Sequence, residues 1–329
     1  MWKTLARYRP GVSFLAIGLL VAAAVQAYQF GFWTIILAVL QFWICGLTMV
    51  WNDLADRKQD TKKGRAMSDD EYRSLKQSAI RQWWWLVGLA LVYGTAYHSS
   101  VSVWQTAILL SQIGVGVWIY NRVRPYYLLN NLTVAITGAS PCLLVVPVAG
   151  PHTPLILGMF MMTGIVLMIR EVLKDIQDAK ADKGYKGTLP LRIGSEWAHW
   201  RIGRWALIAM LPVWIGLYLT GRWEESWLMA PPAVMFGWGM IRPDPMLLTL
   251  RRHYFRETAE DESRQANGLL DVWLVFAIVC WWFHPTPWMN HPMFVTVVFL
   301  LVATLVSVWG FVPFWAAKRR YLRSLRSRL

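Results

Sequence analysis

The chain has 329 residues, of which 56% are hydrophobic and only 16% charged, whereas a soluble domain carries about 25% charged residues. A globule of this size needs more polar surface, so a water-soluble enzyme, a nucleic-acid-binding domain and a secreted disulfide scaffold are all excluded. The net charge of +14, from 33 Lys and Arg against 19 Asp and Glu, fits a polytopic membrane protein whose basic loops face the cytoplasm.

Ten apolar stretches follow in chain order, at about residues 11–28, 31–51, 83–97, 103–120, 128–148, 155–169, 205–220, 226–241, 268–283 and 293–316. A membrane span takes about 20 residues, so the shorter stretches must tilt or extend into their flanks. The expected fold is all-α: a polytopic transmembrane bundle of nine to ten helices. With the N-terminus inside, the inner loops hold every Lys and Arg except Arg222. Ten spans with both termini cytoplasmic is the topology that distribution predicts. The first stretch, ending Val25-Gln26-Ala27, imitates a signal peptide but is read as an uncleaved helix. Cys45, Cys142 and Cys280 each fall within an apolar run and have no metal-ligand spacing. Trp83, Trp84 and Trp85, and at the opposite face Trp281, Trp282 and Trp288, read as interfacial belts.

Acidic residues gather in the inner loops, and two of those loops share a pattern. After the second span comes Asn52-Asp53-Leu54-Ala55-Asp56, then Asp60; after the sixth comes Lys174-Asp175-Ile176-Gln177-Asp178, then Asp182. Both read D-x-x-D-x-x-x-D, 122 residues apart. Positions i, i+3 and i+7 share one helix face, so each motif predicts a stripe of three carboxylates at the cytoplasmic end of a span. The duplication implies related halves, about residues 8–125 and 126–245, with C-terminal spans 246–329 completing one membrane-embedded domain over 1–329. Six carboxylates repel unless cations lie between them. An all-oxygen set suits Mg²⁺ or Ca²⁺, and Mg²⁺ is commonly shared with substrate phosphates. Interleaved bases, Arg57, Lys58 and Arg65 in the first loop and Arg170, Lys174 and Lys183 in the second, suit an oxyanion. Acids for metal and bases for oxyanion point to a Mg²⁺-held diphosphate. The plain alternative is acid–base pairing in a solvated loop, against which stands the repetition of one spacing at one membrane position.

These motifs resemble the UbiA superfamily of intramembrane prenyltransferases. The second, Arg170-Glu171-Val172-Leu173-Lys174-Asp175-Ile176-Gln177-Asp178, followed by Asp182 and by Gly187-Thr188-Leu189-Pro190, is most similar to the branch containing digeranylgeranylglyceryl phosphate synthase. Arg9-Pro10 before the first span and Tyr120-Asn121-Arg122-Val123-Arg124 after the fourth resemble further family elements. The likeness covers about residues 8–200. Two departures are visible: Ser13 stands near where the family often has Asn, and Arg65 follows the first motif without the usual prolines.

The resemblance implies Mg²⁺-dependent transfer of a prenyl group from an isoprenyl diphosphate to a hydrophobic or amphipathic acceptor, with release of diphosphate. Asp53, Asp56, Asp60, Asp175, Asp178 and Asp182 would hold metal. Asp53, Asp56, Asp175, Asp178 and Tyr120 would carry catalysis. Asn52, Arg9, Arg65, Arg124, Arg170, Lys174 and Lys183 would bind diphosphate. Tyr120 and Trp51 are placed to face a developing allylic cation. Asn130 and Asn131, in the fifth span, read as interhelical contacts or as acceptor contacts. The partners expected are lipid bilayer and substrates, with no nucleic acid and no obligate protein. Two other functions fit parts of the pattern: a terpene cyclase of the same superfamily, in which the substrate's own double bond attacks, and a transporter built from repeats.

Overall fold

The computed structural model describes residues 10–57, 67–97, 99–123, 126, 128–183 and 187–194, with isolated helical positions between 208 and 278. Every element among the described residues is helical. α1 is Pro10–Gln26, α2 Phe32–Ala55, α3 Asp69–Tyr97 and α4 Ser100–Gly114, which passes through a π-helical segment, Val115–Ile119, into α5, Tyr120–Val123. α6, Leu129–Ala139, gives way to 3₁₀ turns at Ser140–Leu144, Val146–Val148 and Gly150–His152. α7, Thr153–Asp182, and the short α8, Leu189–Ile193, follow. Among the described residues four stretches are long and apolar enough to cross a membrane: Phe32–Ala55, Ser100–Ile119, Leu129–Val148 and Gly150–Ala179. Val12–Gln26 is a shorter apolar helix. Apart from the isolated positions, the spans expected after residue 205 lie outside the described residues.

The chain divides into two compact units, Met1–Leu167 with Gly184–Lys186, and Met168–Lys183 with Gly187–Leu329. In the first, α1 packs on α2, α2 on α3, and α3 on α4, while the Ser140–Leu144 turn reaches both α1 and α4. Lipid is as apolar as leucine, so close packing rather than water exclusion must hold such helices together. Small residues supply that closeness. A Cβ on Gly94 of α3 would come 2.5 Å from Thr106 Oγ1 of α4, and one on Gly116 would run into Thr48 of α2. The outward faces are strongly apolar: Phe14, Val39, Trp84, Trp85, Val92 and Val103 are each at least 60% exposed, a surface that lipid tolerates and water does not.

Three elements depart from the bounds expected of them, each for a local reason. α3 begins at Asp69 rather than near residue 83. Ser68 Oγ accepts from the Glu71 N–H at 3.2 Å, and Asp69, Asp70 and Glu71 sit in the first turn, where the helix dipole favours acids. The charged segment 69–82 is therefore one helix with the apolar run after it, and Leu75, Ala79, Leu86, Ala90 and Tyr93 are buried along its length. The fifth span, expected at 128–148, is α-helical only to Ala139. Pro141, Pro147 and Pro151 lack the N–H and crowd the carbonyl four residues back, so the chain continues in 3₁₀ turns. α4 supplies the missing donors: Trp104 Nε1 donates to the Leu143 carbonyl at 3.1 Å and Gln105 Nε2 to that of Leu144 at 2.8 Å. No water is at hand to do this in a bilayer core. The sixth span, expected at 155–169, continues as α7 to Asp182, so the second acidic motif lies within the helix rather than in a loop.

Candidate functional site

In the first unit, Asn52 and Asp53 occupy the last turn of α2, where they are 7% and 8% exposed. Asp56 is the C-cap and its N–H still reaches the Asn52 carbonyl, at 2.8 Å. Asp53 and Asp56 are thus three residues apart on one side of the chain. The third position of the expected stripe, Asp60, lies outside the described residues. Arg57 follows Asp56. It donates to the Met67 carbonyl at 3.3 Å, pairs with Asp69, and lies 4.6 Å from the Tyr72 ring centroid. This arginine, read from the sequence as one of the bases near an oxyanion, ties the end of α2 to the start of α3.

Tyr120 is set by the π segment. Its N–H donates to the carbonyl of Val115, five residues back, and such single π turns recur at functional sites. α2 and α4 are separated by one antiparallel helix, so they run the same way. The register that places Gly116 against Thr48 therefore brings Tyr120, four residues on, level with Asn52. α6 packs on both the π segment and α5. That contact carries Asn130 and Asn131, 5% and 3% exposed, to the same end of the unit. Asn130 Oδ1 has no partner there among the described residues. A buried amide oxygen left so costs about 1–3 kcal/mol, which a bound hydroxyl or water would offset.

In the second unit, α7 carries Arg170, Glu171, Lys174, Asp175 and Asp178. Asp175 is 4% exposed, and Asp178, one turn on, is half-buried. Glu171 was given no role by the motif reading, yet its side chain is only 8% exposed and it pairs with both neighbouring bases: Arg170 Nη1 lies 3.2 Å from Oε1 and Lys174 Nζ 3.8 Å from Oε2. The available signal was its place between a base at i−1 and a base at i+3. Lys183, beyond the helix, is exposed. Arg9, Arg65 and Arg124 lie outside the described residues. Asp182 is helical, but its side chain is not among those described.

Among the described residues no three acids, histidines or cysteines gather as a metal cluster. Within those residues each motif offers a pair of carboxylates one turn apart. That donor set fits Mg²⁺, which keeps several waters and is usually bound by one or two carboxylates together with substrate phosphates. It does not suit zinc, which prefers Cys and His.

A model of the UbiA prenyltransferase family matches residues 12–244. Among solved structures, the chain is similar to one described as digeranylgeranylglyceryl phosphate synthase in membranes, with 17% identity and a TM-score of 0.55 over 85% of this chain and 99% of that one. It also resembles a UbiA homolog from Archaeoglobus fulgidus bound to DMAPP and Mg²⁺, with 13% identity and a TM-score of 0.49 over 94% and 98% of the two chains. No curated protein matches it by sequence at a significant level.

Proposed function

The chain belongs to the UbiA prenyltransferase family, and we propose that it moves a prenyl group from an isoprenyl diphosphate to a hydrophobic or amphipathic acceptor. The observation that carries this reading is the burial of Asp53 and Asp175 near the ends of long apolar helices, each with a second carboxylate one turn away. Burying an ionised carboxylate at a membrane is expensive unless a cation accompanies it. A divalent cation shared with a diphosphate would supply that charge to both pairs, beside the contacts these carboxylates already make within the protein. Asp53 and Asp56 would hold one Mg²⁺, and Asp175 and Asp178 another. Bound there, Mg²⁺ neutralises charge on the departing diphosphate.

The chain's own groups do the rest. Asn52, Arg170 and Lys174 bind diphosphate oxygens, together with Arg9, Arg65, Arg124 and Lys183 as the sequence pattern suggests. Tyr120 offers its ring face to C1 as the C1–O bond breaks and positive charge develops. The bond's electron pair leaves with the diphosphate. The acceptor attacks C1 and gives up the proton from the atom that attacked. The apolar walls keep water from that cation, and residues 1–329 act as one catalytic domain.

Membranes containing the protein, incubated with a prenyl diphosphate and Mg²⁺, should release diphosphate only when an acceptor is supplied, and the prenyl group should be recovered on it. Hydrocarbon or free alcohol formed without acceptor would replace transfer by cyclisation.

The positive-inside pattern supports a cytoplasmic mouth with both termini on the same side. A cysteine introduced at Thr153 should react with an impermeant reagent applied outside, and one at Thr61 should not. Labelling at Thr61 would invert the topology.

A further inference from the structure

Around Glu171, α7 buries Ile169, Val172, Leu173 and Ile176, each 3% exposed or less, together with Asp175, so an apolar side chain at position 171 would also find apolar neighbours. Removing a buried ion pair in favour of well-packed hydrophobic residues is often neutral or stabilising, and so the fold itself gives no reason for an acid here. What the acid does is visible in its contacts. One oxygen meets Arg170 and the other meets Lys174, so a single buried carboxylate bridges two cations four residues apart that would otherwise repel across the turn. Both cations remain partly exposed, with 30% and 38% of their side-chain surface open, and Asp175 follows directly.

We propose that Glu171 is a positioning residue for diphosphate capture: its carboxylate ties Arg170 and Lys174 to fixed places beside Asp175, so both meet the incoming diphosphate already ordered. The inference rests on reading the second motif as part of the diphosphate site. Long, flexible side chains lose rotamer freedom when they clamp a ligand, and pre-ordering removes that loss. A carboxylate that is itself buried cannot swing away, which makes it a firm tether.

The test uses the full-length protein in detergent, titrated calorimetrically with inorganic diphosphate in the presence of Mg²⁺, so that no acceptor is needed. Glu171→Gln keeps the size and removes the charge; it should weaken diphosphate binding about 10-fold, the ordering loss of one or two long side chains. Glu171→Asp keeps the charge one methylene further back and should fall between. It carries the test if Glu171→Gln does not fold. Lys174→Ala should weaken binding by about 10- to 100-fold, the range for one charged contact. On that background Glu171→Gln should add much less than its effect alone, since half of what it tethers is gone. Unchanged or tighter binding by Glu171→Gln, beside weakened binding by Lys174→Ala, overturns the tether alone; full multiplication of the two effects does the same. Unchanged binding in both Arg170→Ala and Lys174→Ala overturns the diphosphate reading of the motif and the tether with it.

Discussion

Replacing either Asp53 or Asp175 by alanine is expected to lower diphosphate release by at least about 100-fold, the scale on which loss of a single electrostatic contact to developing charge is felt in catalysis. Both carboxylates are buried, at 8% and 4% exposure, so bulk water cannot make up for their loss. The protein should still insert and fold. Because each carboxylate also has contacts within the protein, the thermal stability of each Mg²⁺-free variant checks this. Asparagine at either position keeps the shape while removing the charge, and should be nearly as inactive as alanine. Diphosphate release measured in membranes with matched protein levels decides the matter. Near-normal turnover in Asp53→Ala or Asp175→Ala would reduce that motif to surface charge.

Chelation is expected to have an effect of the same order. EDTA should abolish diphosphate release, and Mg²⁺ added in excess of the chelator should restore it. The carboxylate pairs Asp53/Asp56 and Asp175/Asp178 supply only oxygen, so zinc should not substitute well. A readout independent of turnover comes from linkage: Mg²⁺ and diphosphate together should raise the melting temperature, since ligand at about 100 times its Kd stabilises the folded state by about 2.7 kcal/mol. Activity that persists in EDTA would remove the metal from the reaction.

Much of the site was legible in the sequence because it rests on spacing. Asp53 and Asp56, and likewise Asp175 and Asp178, are one turn apart in any helical geometry. Both motifs follow long apolar runs, so their place at helix ends could be read directly. Arg57 was less legible. It stands beside the first motif like a ligand-binding base, but Asp69 and the Tyr72 ring, twelve and fifteen residues on, claim it for the turn between α2 and α3. Glu171 was passed over for a related reason. In a loop, an acid between two bases is solvated charge, and only the continuation of α7 to Asp182 turns it into a buried bridge.

By itself the sequence determined the class of molecule, the helical content and the repeated pairs of carboxylates, because hydropathy, charge and helical period act locally and depend on no distant partner. Tertiary structure decided where the regularity breaks and what fills the gap. The prolines after Ala139 end the α-helix within the stretch expected at 128–148, and that Trp104 and Gln105 supply the donors for the freed carbonyls depends on α4 lying alongside. Gly116 looks like any apolar-helix glycine until Thr48 is found against it. That contact, with the π turn beyond it, brings Tyr120 level with Asn52. Both outcomes depend on two helices meeting at one height, which no local pattern encodes: in a bilayer, helix contacts are selected by side-chain fit and by backbone groups that must find partners within the protein.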